Sequence, residues 1–137
     1  MLARMTRRVA LLALVAALAS AAPAHALTQF RSPSRNIGCV METSGVRCDI
    51  RHRSWSPPPK PAWCDLDWGQ GLTVAKRGKG HYVCAGDTVL GSGRVLRYGK
   101  SISRGRFRCL SRRSGMRCVN RRNGHGFTLS RQHARVF

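Results

Sequence analysis

Six cysteines restrict the possible folds of this chain more than any other feature of its sequence. An even number of cysteines in a short exported chain is typical of a disulfide framework. Zinc ligands usually come in pairs two to four residues apart, whereas gaps of eight and nineteen residues occur here, so we expect no metal site. The cysteines are Cys39, Cys48, Cys64, Cys84, Cys109 and Cys118.

An internal repeat narrows the fifteen pairings that six cysteines allow. Cys39 and Cys48 enclose eight residues, as do Cys109 and Cys118, and both segments carry Ser-Gly, an apolar residue and Arg before the second cysteine. Such a segment is typical of a β-hairpin with a glycine turn, across which two facing cysteines come within disulfide reach. We therefore predict the bridges Cys39–Cys48 and Cys109–Cys118, which leaves Cys64–Cys84.

The alternation of side chains agrees with two hairpins, because apolar residues and cysteines fall on one face of each. In the first copy this inward face holds Ile37, Cys39, Met41, Val46, Cys48 and Ile50. In the second copy it holds Phe107, Cys109, Met116 and Cys118.

Residues 1–26 have the three parts of a secretory signal peptide. A basic start is followed by the apolar run Val9–Ala19 and by Ala24-His25-Ala26, so we expect cleavage after Ala26. The run is about half of the roughly 20 residues that a membrane span needs, which argues against an anchor. The general export route is favoured over the twin-arginine route. The sequence thus predicts a secreted or cell-envelope protein whose residues 27–137 form a single disulfide-rich β domain.

Short strands separated by glycine turns predict an all-β fold. We expect strands at 72–76, 82–85, 95–98 and 126–130, followed by a single helical turn or a tail. The proline-rich segment 55–63 cannot be helical and should run extended. The predicted architecture is a small disulfide-stapled barrel or sandwich, built from short antiparallel hairpins with a proline-rich loop.

The charge of the chain is strongly unbalanced. It carries 25 lysines and arginines against five acidic residues, a net charge of +20, and no acidic side chain follows Asp87. An arginine-covered sheet face is therefore predicted on the second hairpin, where it would attract polyanions. The alternative is a solvated face in a protein encoded by a GC-rich genome. The candidate anion-binding residues are Arg104, Arg106, Arg108, Arg112, Arg113, Arg117, Arg121 and Arg122.

Three tryptophans surround the prolines, and they are candidate contacts to a protein partner. Trp55, Trp63 and Trp68 could stack on sugar rings or on a proline-rich partner, although packing of the loop onto the core is the favoured interpretation.

Catalysis is not expected. Glycoside hydrolysis usually needs two carboxylates, and Glu42 is the only glutamate. All cysteines are assigned to disulfides, and no spacing brings the histidines together. These are His52, His81, His125 and His133, with His125 the most accessible in sequence context. We predict a non-catalytic protein without a cofactor.

Five phrases of the sequence resemble a family of small exported proteins of high-GC Gram-positive bacteria, which is catalogued as a domain of unknown function. They begin at Ser32, Gly45, Cys64, Val83 and Gly124: SPSRNIGC, GVRCDI, CDLDWGQ, VCAGDTVLG and GHGFTLSR. The resemblance implies an extracellular or envelope location. In the first phrase, Arg35 stands where glycine is expected.

The hypothesis from the sequence is therefore a secreted module that binds an anionic envelope polymer or an anionic lipid surface through the arginine face. Sequence-specific recognition of nucleic acid is not expected, because export separates the protein from the nucleic acids of the cell. The alternatives are an effector or inhibitor that docks on a protein through the tryptophan–proline loop, and a small secreted hydrolase using the histidines.

Overall fold

Eleven β-strands and no helix make up the part of the chain that the computed structural model describes, residues 17–20 and 27–137. Most of the predicted signal peptide, residues 1–26, lies outside the described residues. Within them, no helix has the length and apolar character that a membrane crossing needs. The strands are β1 Thr28–Arg31, β2 Ile37–Met41, β3 Gly45–Ile50, β4 Trp68–Ala75, β5 His81–Cys84, β6 Arg94–Val95, β7 Ser101–Arg104, β8 Phe107–Arg112, β9 Gly115–Asn120, β10 Gly126–Leu129 and β11 Ala134–Val136.

The strands form two open sheets, so the all-β prediction is confirmed and the sheets do not close into a barrel. One sheet has the order β5-β4-β3-β2-β1-β6 and the other the order β11-β10-β9-β8-β7. Neighbouring strands are antiparallel except β1 and β6, which are parallel. Residues 28–84 and 101–136 therefore fold as the same five-stranded meander. The duplication extends well beyond the cysteine hairpins that reveal it in the sequence.

Two predicted elements are wrong. The strand expected at 95–98 is reduced to Arg94–Val95. The Leu96 amide still donates to the Arg31 carbonyl, but the chain then turns, and the Lys100 amide donates to the Arg97 carbonyl. The expected helical turn or tail at the end is the strand β11. A tight turn causes this, because the His133 amide donates to Ser130 Oγ and the chain returns beside β10.

The three disulfides have the predicted pairing. In both hairpins the bridged cysteines lie opposite each other in the ladder, with their Cα atoms 4.1 Å apart. Their side chains point inward, and Cys48 Sγ lies 3.8 Å from Cys118 Sγ. Cys48 and Cys118 are equivalent residues of the two copies. The equivalent strands β4 and β10 also contact each other. We infer from these contacts between equivalent parts that a pseudo-twofold axis relates the two copies and passes close to the disulfides.

The core is built around these disulfides from the predicted inward faces of both hairpins. Phe30, Leu72 and Phe127, on the strands that flank the hairpins, are fully buried beside them. The whole cluster is Phe30, Ile37, Cys39, Met41, Val46, Cys48, Ile50, Leu72, Val74, Leu96, Ile102, Phe107, Cys109, Met116, Cys118, Phe127 and Leu129.

The proline-rich loop is tied down at several points. Trp55 packs against the core, and its indole N–H donates to the Ser130 carbonyl at 2.9 Å. Pro57 lies over Gly69, where a Cβ would come within 2.4 Å of the proline ring. The Cys64–Cys84 bridge then joins the loop to the edge strand β5.

We predict that the two hairpin disulfides contribute to stability in a coupled way. Replacing Cys39 and Cys48 with alanine, or Cys109 and Cys118, should each cost about 2–3 kcal/mol of unfolding free energy. Removing both bridges should cost less than the sum by about 0.5–3 kcal/mol, because the sulfur contact is already lost with the first. Denaturant unfolding measures these terms. The Cys64–Cys84 pair is the control and should be additive with either hairpin pair; additivity of the two hairpin pairs would contradict the coupling.

Candidate functional site

A cleft with a volume of about 560 Å³ opens between the two copies. One wall comes from the loop between β1 and β2 and from the residues after β3. The other comes from the hairpin turn between β8 and β9 and from the residues after β10. Ile37, Ser111 and Met116 are buried at its base. We call this the large cleft. Its lining includes His52 and five arginines, Arg35, Arg51, Arg112, Arg113 and Arg131.

The five guanidinium groups of the large cleft have no carboxylate among the lining residues. Within residues 27–137, the ion pairs closer than 4.0 Å all involve Arg47, which lies elsewhere. None of the five guanidiniums donates a hydrogen bond to another described residue. Arg113 instead lies over the ring of Tyr98, 5.0 Å from its centroid. The cleft therefore concentrates positive charge that the described part of the chain does not neutralise.

Ser111 distinguishes the large cleft from the rest of the core. It is only 1 % exposed, and its hydroxyl oxygen is buried without a hydrogen-bond partner among the described residues. Its equivalent in the first copy is Met41, which is fully buried. A serine in place of a methionine removes side-chain volume and leaves a hydroxyl whose hydrogen-bonding capacity is unused, which is costly in a buried position.

Arg35 occupies an unusual backbone conformation at the rim of the large cleft. Its φ is +60°, the only positive φ of a non-glycine residue in the described part of the chain. A side chain in this left-handed region costs about 1–2 kcal/mol, and glycine avoids that cost. This explains why glycine is the expected residue here. The strain is accepted at a position that brings a guanidinium to the cleft.

Hydrogen bonds hold the walls of the large cleft in place. The Asn36 side chain accepts from the His52 amide at 2.7 Å and donates to the His52 carbonyl at 2.9 Å. Ser32 Oγ accepts from the Ile37 amide, and Ser130 Oγ accepts from the His133 amide. The lining segments are therefore pre-organised, which lowers the entropic cost of binding a ligand.

A model of the Family of unknown function (DUF6636) matches residues 10–137. The chain belongs to this family. No curated protein and no solved structure matches it.

The predicted arginine face of this DUF6636 protein is divided among several surfaces. Arg108 and Arg117 lie on the outer face of the five-stranded sheet, where Arg117 lies 4.5 Å above the Phe137 ring. The other predicted cations gather at the two ends of the hairpins. Arg112 and Arg113 line the large cleft, while Arg106, Arg121 and Arg122 line a second cavity at the opposite end.

Arg104 does not share the predicted outward face. It is paired with Phe107 across the β7–β8 hairpin, and residues paired in this way point to the same side, here the inward one. The prediction was wrong because it treated 104–108 as one strand, whereas the chain turns at Gly105, whose φ is +56°. Arg104 donates to Thr28 Oγ1 of the other sheet instead.

Three arginines of the large cleft were not predicted from the sequence. Arg35, Arg51 and Arg131 lie far apart in sequence, and only the fold brings them together. The departure from glycine at Arg35 was the one available signal. His52 lines the large cleft, but His81, His125 and His133 are not among its lining residues.

The three tryptophans have different environments. Trp55 and Trp68 are half-buried and use their indole N–H groups to bond carbonyls of Ser130 and Pro58. Trp63 is 68 % exposed, with its ring centroid 5.7 Å from that of Trp68. Contact with a protein partner through this loop stays a prediction.

The acidic residues are used away from the large cleft. Asp49 is fully buried on the outer face of the six-stranded sheet and binds the Arg47 guanidinium at 2.8 and 2.9 Å. Burial alone would lower the pKa of Arg47, but its hydrogen bonds to Asp49 and Asp87 raise it above the ordinary value. The same contact holds the pKa of the Asp87 carboxyl below its ordinary value. Arg47 thus takes up two of the five carboxylates.

We predict an acid-dependent contribution of Asp87 to stability. Because its pKa is lowered in the folded state, its stabilising effect is present above the pKa of the unfolded chain and is lost as the pH falls through the folded pKa. Asp87→Asn should therefore destabilise the protein near neutral pH, and the difference from the original protein should vanish in strong acid. Chemical unfolding measured across this range tests it; a difference that stays constant with pH would contradict it.

Proposed function

We propose that this DUF6636 protein is an exported, non-catalytic module that binds an anionic polymer of the cell envelope in the large cleft. The observation that carries the proposal is the convergence of five guanidinium groups on one concave site without a carboxylate among them. Guanidinium groups form charge-assisted, often paired hydrogen bonds with carboxylates and phosphates. A ligand bearing such groups would neutralise the charge of the cleft and supply the missing hydrogen-bond partners.

The concave shape favours a chain over a flat membrane surface. Ser111 and Met116 lie at the base of the large cleft, while the arginines lie around them at its exposed rim. A polymer segment or its terminal group can enter between the walls and contact several guanidiniums at once. The headgroups of a bilayer would reach the outermost cations only.

A high arginine content alone does not account for the five arginines that line the large cleft. A GC-rich genome would raise arginine content over the whole surface, with no preference for one concavity. It would also supply no reason for an arginine at position 35, where the left-handed backbone favours glycine. Both features agree with a binding role for the large cleft.

Export is supported by the disulfides. Three disulfides and no free cysteine in the described part of the chain suit an oxidising compartment, because the cytosol keeps thiols reduced. The signal-like residues 1–26 agree with this. An envelope polymer is then within reach of the protein, whereas intracellular nucleic acid is not.

Binding should depend on salt and on the arginines of the large cleft. We expect affinity for polygalacturonate or poly(glycerol phosphate) to fall at least about tenfold between 50 and 200 mM salt, as the released counterions predict. Arg112→Ser/Arg113→Ser should weaken binding at least about tenfold. Arg94→Ser/Arg135→Ser removes the same charge outside the clefts and serves as the control. Calorimetric titration measures all three proteins.

Three results would overturn the polymer proposal. The first is affinity that does not change with salt. The second is an equal loss in both arginine variants, which would mean that net charge alone attracts the ligand. The third is binding to vesicles containing phosphatidylglycerol that exceeds binding to both polymers, which would favour a lipid surface.

Two single replacements separate binding from folding. Ser111→Met introduces the side chain that Met41 has at the equivalent position, so it should fill the base of the large cleft and weaken polymer binding at least about tenfold. Arg35→Gly removes one cation together with its backbone strain; we expect weaker binding and an unfolding free energy within about 1 kcal/mol of the original. Thermal unfolding checks both variants. Unchanged binding by both would contradict the role of the large cleft.

A second candidate function rests on the exposed end of the proline-rich loop. Trp63 is 68 % exposed and Leu66 is 52 % exposed, and large apolar side chains of this kind commonly anchor protein partners. An effector or inhibitor that uses this loop would lose its partner on Trp63→Ala, whereas polymer binding in the large cleft would be unaffected.

A further inference from the structure

The pseudo-twofold axis predicts a second site wherever it carries the lining residues of the large cleft. The axis maps the residues after β3 onto those after β9, and the residues after β10 onto those after β4. Arg51 is thereby equivalent to Arg121, and Arg131 to Lys76. The β1–β2 loop, which carries Arg35, corresponds to the β7–β8 turn, which carries Arg106.

These equivalent residues do line a second cavity. It has a volume of about 420 Å³ and is formed by Thr43, Lys76, Gly105, Arg106, Arg121 and Arg122. We call it the small cleft. Its cations correspond to those of the large cleft at three places, and Arg122 takes the place of His52. The internal duplication has therefore produced two cationic cavities, and the described residues that line them include no carboxylate.

The walls of the small cleft are fixed by a buried amide. Asn120 is fully buried, and its side-chain N–H₂ group donates to the carbonyls of Ala75 and Lys76 at 3.2 and 3.1 Å. Its side-chain oxygen accepts from the Arg122 amide at 3.0 Å. Asn36 joins the walls of the large cleft in a comparable way, through both its oxygen and its nitrogen.

The guanidiniums of the small cleft are only partly engaged. Arg121 donates to the Gly105 carbonyl at 2.9 Å, which fixes the β7–β8 turn. The side chains of Arg106 and Arg122 make no hydrogen bond or ion pair with the described residues, so both are available to a ligand. The position equivalent to Arg112 is Glu42, at the hairpin turn beside the small cleft. Its negative charge weakens the attraction for anions at this end.

We propose that the small cleft is a second, weaker binding site for the same class of ligand, an anionic oligosaccharide or polyol phosphate. The two clefts lie at opposite ends of the hairpins, about 17–20 Å apart for strands of five or six residues. One molecule then binds two polymer segments and gains avidity on a long polymer without any additional contact. This inference rests on the proposed function of the large cleft.

The test uses NMR titration of the ¹⁵N-labelled protein with digalacturonate and with glycerol phosphate, ligands shorter than the distance between the clefts. We expect two groups of shifted signals, one around Arg112 and Arg113 and one around Arg106 and Arg122. The second group should saturate at a higher ligand concentration. Arg106→Ser/Arg122→Ser should remove only the second group. Arg112→Ser/Arg113→Ser should remove only the first.

A gain-of-function variant and the long polymer complete the test. Glu42→Arg introduces the charge that Arg112 has in the other copy. It should lower the dissociation constant of the small cleft at least about threefold. Polygalacturonate should bind at least about tenfold more tightly than digalacturonate, and the Arg106→Ser/Arg122→Ser variant should lose most of that difference.

The outcomes distinguish this inference from the proposed function. Shifts at the large cleft alone, or a dissociation constant of the small cleft that Glu42→Arg leaves unchanged, would overturn the second site and leave the first intact. Absence of shifts at both clefts would overturn the proposed function itself. If Arg94→Ser/Arg135→Ser weakened ligand binding at both clefts as much as the cleft variants do, the attraction would be nonspecific. That result would overturn both the second site and the proposed function.

Discussion

The contact between the two hairpin disulfides determines how the halves of this protein meet. Cys48 and Cys118 are equivalent, and their sulfurs lie 3.8 Å apart at the centre of the core. The two hairpins run in opposite directions at this contact: the β8–β9 turn lies by the open end of the β2–β3 hairpin, and the β2–β3 turn lies by the open end of the β8–β9 hairpin. This antiparallel packing leaves one concavity at each end. The positions of both clefts are consequences of this packing.

The distribution of charge depends on where the few carboxylates are held. Asp49 is buried between two glycines, and a Cβ at Gly71 would come within 2.5 Å of its carboxylate oxygen. Room for the carboxylate therefore requires the missing side chain. Asp49 accepts hydrogen bonds from Arg47, Thr88 and the Val89 amide, and it thereby fixes the segment after β5 on the outer face of the six-stranded sheet. A carboxylate used in this way cannot neutralise the arginines at the hairpin ends.

The two copies share a largely apolar core around their disulfides and differ in charge at their rims. The cysteines are the same in both copies, and most positions around them stay apolar because they fill the space between the sheets. Their residues differ, since Phe107 corresponds to Ile37, Met116 to Val46 and Phe127 to Leu72. The turn residues face solvent, where Glu42 and Thr43 of the first copy correspond to Arg112 and Arg113 of the second. Two core positions change from apolar to polar: Ser111 takes the place of Met41 at the base of the large cleft, and Asn120 takes the place of Ile50 beside the small cleft. Duplication of a stable hairpin thus allowed one end to gain charge and volume without loss of the fold.

Much of the local structure follows from the sequence. The repeated cysteine spacing predicted both hairpins, their inward faces and, by elimination, all three disulfides, because facing positions in a short ladder are fixed by the turn. The strands at 72–76 and 82–85 correspond to β4 and β5. The flanking strands β1, β7 and β11 were missed, since three or four residues with mixed polarity give no periodic signal.

The sequence alone determined the hairpins, the bridges and the excess of positive charge; only the tertiary structure decided where that charge is collected. Arg104 shows what the sequence pattern does not determine. The alternation of side chains does not reveal the turn at Gly105, and this turn reverses the direction of the Arg104 side chain. Arg35, Arg51 and Arg131 illustrate it further, since they come from three separate loops. Strand pairing is a local property that neighbouring residues specify. The meeting of two sheets depends on contacts between residues 70 positions apart, as the sulfurs of Cys48 and Cys118 are, and no short sequence pattern encodes it.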